Sequence, residues 1–234
     1  MSLKRKAKPT TTAVALLLAT GCSSAPAPYQ GSPTRGQMLA HFDLALELRA
    51  HAINGDLARF RMAAQELADL DPAHDLPAEI ILQLGPMRWE AQAAAGARTV
   101  EAAAQGAAEV ARTCGDCHAA NGVPLGDRFV VGERPPTGDT EQHMAGLAWI
   151  TRLLWDGLVG PSDVTWNAGA RALAEAGALP DELLTELPER DVRFASDRLQ
   201  RLAGEAAAAR EPEHRVQALG EIWATCSDCH SRTR

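Results

Sequence analysis

Two copies of the pentapeptide Cys-x-x-Cys-His limit what this chain can fold into. They are Cys114-Gly115-Asp116-Cys117-His118 and, close to the C-terminus, Cys226-Ser227-Asp228-Cys229-His230. A haem carries two vinyl groups, and cysteines at this spacing can each form a thioether to one of them. The histidine that follows then lies beneath the ring, where it can ligate the iron. On a helix the three residues fall at i, i+3 and i+4, on one face. The motifs use four of the five cysteines, and two covalently attached haem c groups are the expected cofactors. Zinc and a redox dithiol are the alternatives. Structural zinc clusters are usually compact in sequence, whereas these pairs lie about a hundred residues apart. A thioredoxin-like dithiol needs a strand before its helix, and neither pair follows one.

The fifth cysteine speaks to compartment. Residues 1–21 read as an export signal, with Lys4, Arg5, Lys6 and Lys8 ahead of a short apolar run from Thr11 to Thr20. Small residues then lead to Cys22, as in a bacterial lipobox, although Ala19 stands where leucine is usual. The expectation is a lipid on Cys22; the alternative is an ordinary cleaved leader followed by an unpaired thiol. Residues 22–35, rich in Ser, Ala and Pro, read as a flexible tether. Ser23 resembles the residue found after the lipidated cysteine in lipoproteins sorted to an outer membrane. The chain is thus expected on the periplasmic side, held to a membrane by its lipid anchor. The formal charge is −7, and loss of residues 1–21 removes four cations and no anion, leaving −11. That surface argues against nucleic acid and for a redox partner protein with a basic docking patch.

The sequence also repeats itself. Met38 to Ala68 aligns without gaps on Met144 to Ala174, pairing Ile53 with Val159 and Phe60 with Trp166. Ahead of the motifs, Gln105, Glu109, Val110 and Thr113 match Gln217, Glu221, Ile222 and Thr225. Abundant Ala and Leu, with few aromatics, is the composition of helices. Each copy reads as four of them. The first runs from about Gly36 to Ile53, with Met38, His41, Ala45, Leu48 and Ala52 along one seam; Met144, Leu147, Thr151, Leu154 and Leu158 form its counterpart. Asp56 and Ser162 are placed to cap the second helix. A third is expected near Pro86–Ala97 and near Val192–Ala209. The last starts at Thr99, or near Glu211, and ends in the motif. The predicted fold is therefore all-α, with two tandem four-helix bundles over residues 36–121 and 140–234 and a linker over 122–139.

A haem motif at the C-terminal end of the fourth helix of a small all-α domain resembles the class II cytochromes c, the cytochrome c-prime group. The resemblance covers Gly36 to Asn121 and Thr140 to Arg234, and rests on motif position and helix pattern. It implies a haem held in a four-helix bundle, with the first helix supplying or occluding the sixth iron position. Tandem fusion departs from the usual single-domain member.

His118 and His230 are the proximal iron ligands by motif. For the sixth position, Met38 and His41 share the seam facing haem one, while Met144 is the candidate for haem two. Leu147 stands where His41 would be, and His143 falls one residue off the seam. Methionine is ordinary core filler and a buried histidine can be satisfied by a backbone carbonyl, so each residue also has a purely structural reading. His51, His74 and His214 are expected to be solvated. Trp149, Trp155, Trp166 and Trp223 read as core or pocket walls, and Asp116 and Asp228 as exposed helix residues. No Ser-His-Asp set, phosphate loop or carboxylate pair stands out, so the chain is expected to be an electron carrier rather than an enzyme. A gas-binding or peroxide-reactive five-coordinate haem and a haem accessory subunit of a respiratory complex are the alternatives.

Overall fold

Alanine and leucine dominate the chain, and the described backbone is helical throughout its regular elements. The structure, a computed structural model, describes residues 33–72, 76–123, 125, 132–136, 138–176, 179–180 and 188–232. The leader, Cys22, most of the tether, His74 and much of the linker lie outside the described residues. Among the described residues, eight helices follow in order: α1 (Pro33–Asn54), α2 (Leu57–Asp69), α3 (Ala78–Ala95), α4 (Val100–Ala120), α5 (Thr140–Val159), α6 (Asp163–Glu175), α7 (Glu189–Ala208) and α8 (Pro212–Arg232). Among the described residues there is no strand, and no helix is long and apolar enough to cross a membrane.

Local chemistry sets the helix starts. The Asp56 carboxylate accepts the Arg59 N–H at 3.1 Å, and Ser162 Oγ accepts the Thr165 N–H at 3.2 Å, so α2 and α6 open where the sequence places their caps. Thr99 and Asp139 cap α4 and α5 in the same way. Several boundaries differ from the sequence reading, among them the start of α7 at Glu189 rather than near Val192. α1 begins at Pro33 rather than Gly36, since proline suits a first turn whose N–H would have no intrahelical partner. α3 begins at Ala78, so Pro86 lies inside it rather than at its start. Pro86 is on the exposed face, where water can satisfy the carbonyl one turn earlier that its missing N–H leaves unbonded.

The contacts fix the helix directions. Phe60, near the start of α2, approaches Gly106 of α4, whereas Leu67 and Ala68 at its end pack with Val110. α2 and α4 therefore run the same way, and α1 and α3 run against them. α4 and α8 lie side by side, and Gly220 sits so close to Gln105 that an added Cβ would be 3.1 Å from the Gln105 Cα. Small residues at this crossing let the two backbones approach.

The two repeats share a core. A single buried cluster joins Leu48, Phe60 and Ala107 of the first copy to Leu154, Trp155, Trp166, Leu219 and Trp223 of the second. The described residues belong to one compact unit spanning Gly31–Arg234. Trp155 of α5 and Trp223 of α8 stack obliquely with centroids 5.6 Å apart. Trp166 is fully buried, and its indole N–H donates to the Ala206 carbonyl at 2.8 Å, tying α6 to α7. Trp166→Ala should cost about 3–5 kcal/mol in urea unfolding, by loss of apolar burial and creation of a cavity. A cost below about 1 kcal/mol would contradict this packing.

Candidate haem-attachment sites

Each motif occupies the last turns of a repeat's final helix, α4 or α8. Cys114, Cys117 and His118 are all half-buried, as are Cys226, Cys229 and His230. Burial pushes the Cys114 thiol up to about 12, with the neighbouring Cys117 adding to the shift. Burial likewise raises Cys226 to about 12, with help from Cys229. A reactive dithiol needs the opposite shift, toward the thiolate. Cys117 Sγ lies 3.4 Å from Gln83 Oε1, at the mouth of an open groove of about 320 Å³ between α3 and α4. Pro86, Trp89, Arg112 and Ala120 line that groove, and Trp89 is 74% exposed beside it. Among the described residues, no three His, Cys, Asp or Glu side chains gather so as to hold a metal ion.

The histidines are oriented alike. His118 Nδ1 is 2.8 Å from the Val159 carbonyl oxygen, and His230 Nδ1 is 3.0 Å from that of Ile53. A carbonyl can only accept, so Nδ1 must carry the proton in both rings. Nε2 is then the unprotonated nitrogen, which is the tautomer an iron ligand needs. Two thiols and such an imidazole on one helix face are the donor set that a covalently held haem would need.

The motifs point to opposite ends of the molecule. His118 rests on the C-terminal end of α5 and His230 on that of α1, and α1 runs against α4. Counting along the helices from the Gln105–Gly220 crossing puts Cys117 and Cys229 about 30 Å apart.

Of the candidate sixth ligands, His41 is buried, and its Nε2 accepts from the Gln37 amide at 3.2 Å, which in turn reaches the Asp71 carbonyl at 3.2 Å. Burial, then the nearby Arg88, holds His41 below the usual imidazole range, so the ring is neutral. To bind iron through Nε2 it would have to exchange that amide for the metal. Met38 and Met144 are half-buried, and Leu147 packs against the shared core.

His143 was legible only in part. Sequence spacing sets it one residue off the seam, but its Nε2 is buried and has no hydrogen-bond partner, and burial lowers its pKa. The repeat register held the signal: position 143 matches Gln37, which is buried beside His41. Elsewhere, His214 is exposed and His51 is half-buried. Asp116 pairs with Arg112 at 2.5 Å, and Asp228 with Arg232 at 3.0 Å, as surface ion pairs. Trp155, Trp166 and Trp223 are fully buried, whereas Trp149 is half-buried and donates to the Gly132 carbonyl at 2.8 Å.

Comparison with protein-family models, with curated proteins and with solved structures finds no match.

Proposed function

We propose that this chain is a dihaem c-type cytochrome that passes single electrons between redox partners on the outer side of the cytoplasmic membrane. The observation that carries this reading is the matched pair of Nδ1-to-carbonyl bonds, because both motif imidazoles are held in the metal-binding tautomer. When bound, each haem supplies a one-electron couple between Fe(II) and Fe(III). The protein's own share is to hold two thiols and an imidazole on one face, to bury them partly, and to keep the two sites at opposite ends. That separation suits two haems that each exchange electrons with a partner at their own end of the molecule. The all-helical fold and a motif at the end of each copy's last helix support the class II-like reading. In this reading the two bundles share one core instead of standing apart, and Cys22 carries the lipid that holds the body at the membrane.

Two tests address the proposal. Protein purified from a host that matures c-type cytochromes should keep its colour after acid-acetone extraction and give two c-type haems per chain in a pyridine haemochrome assay. Colourless protein, or haem that washes out, would remove the basis of the reading. A reduced spectrum recorded with and without CO separates the carrier from the gas binder, because only an iron with an open position takes up CO.

A further inference from the structure

The hydrogen bonds that orient the two motif histidines cross between the repeats. His118 belongs to the first copy, but its acceptor Val159 belongs to the second; His230 belongs to the second, and its acceptor Ile53 to the first. Val159 and Ile53 are the same position in the repeat alignment, at the C-terminal end of each copy's first helix. The exchange is thus reciprocal, with each acceptor contributed by an equivalent place.

The backbone around both bonds is packed to hold them. Gly115, the first residue between the two cysteines, lies against α5, and a Cβ there would run into the Leu158 carbonyl oxygen. Its counterpart Ser227 lies against the α1–α2 turn. There Gly55 has φ +69°, and a Cβ would be 3.0 Å from Ser227 Oγ and 3.1 Å from its carbonyl oxygen. The chain at the end of one repeat's first helix therefore packs closely against the motif of the other, at both ends of the molecule.

We infer that each repeat completes the other's haem site, the Val159 carbonyl acting as the positioning group for His118 and the Ile53 carbonyl for His230. This rests on the haem c reading above. A carbonyl accepting the Nδ1 proton makes the imidazole a stronger base toward iron, which favours Fe(III) and lowers the reduction potential. The consequence is specific: displacing the end of α1, in the first repeat, should alter the iron of the second.

Gly55→Ala provides the test in the full chain, read by spectroelectrochemical titration. The haem-two step is assigned from the Cys114→Ala/Cys117→Ala background, which retains only that haem. Gly55→Ala should shift the haem-two step upward and leave the haem-one step in place. In proton NMR the ring N–H of the haem-two ligand should exchange faster with water, a signature that loosened packing elsewhere would not produce. Gly122→Ala is the control, because Gly122 also has a left-handed φ of +60° but, among the described residues beyond its own turn, no atom lies within 4 Å of its would-be Cβ. It should leave the haem-two step unmoved. Should Gly55→Ala fail to accumulate, Gly115→Ala decides, with the haem-one step expected to rise instead. Equal movement of both steps, or of neither, in a folded variant with two haems would overturn the inference. Absence of covalent haem from the unmutated protein would instead remove the reading beneath it, and the haemochrome assay reports that separately.

Discussion

Chains carrying Cys114→Ala and Cys117→Ala together should emerge with one covalent haem in place of two, halving the haemochrome absorbance per chain. Each thioether needs its own thiol, and in the proposed reading the first motif supplies both thiols for one haem. The second motif lies on another helix about 30 Å away, so its cysteines are untouched by the change. Cys226→Ala with Cys229→Ala should give the mirror result, and all four substitutions should give colourless protein. Intact-mass measurement checks each case by the loss of one haem or two. If a two-cysteine variant loses both haems while remaining folded by circular dichroism, the motifs are not independent attachment sites. If the four-cysteine variant keeps covalent haem, the attachment lies elsewhere.

The second large effect concerns spin state. His41→Ala should turn haem one from low-spin to high-spin and let it take up one equivalent of CO. An imidazole is a strong-field ligand, and alanine leaves the iron an open position. For haem two, His143→Ala should do the same, because its neutral ring keeps a buried Nε2 with no other partner to satisfy it. Met144→Ala is the competing test, since Met144 shares the seam of α5 and is half-buried. Met38→Ala plays that part for haem one. Whichever variant converts its haem identifies the ligand, by visible and electron paramagnetic resonance spectra. If none of the four changes the spectrum and the unmutated protein already binds CO at one haem, the carrier reading yields to the gas-binding one.

Much of this was legible without coordinates, because it depends on residues close together along the chain. The alternation of apolar residues at three and four gives α1, α4, α5 and α8 their buried faces, and Asp56, Thr99 and Ser162 mark where helices begin. The Cys-x-x-Cys-His spacing alone places two thiols and an imidazole on one helix face. Pro86 misled the placement of α3, since a proline on a solvated face costs a helix less than one whose lost bond is buried.

What the tertiary structure decided is how the copies meet. A repeat register shows that two segments are alike and says nothing about whether they stand apart or interlock. Only the packing of α4 on α8 reveals the shared core, and only that core brings Val159 to His118 and Ile53 to His230. His143 shows the same limit at one residue. A position one step off an idealised seam can still hold a buried ring nitrogen, because neighbouring elements, and not helical periodicity alone, determine which face is covered.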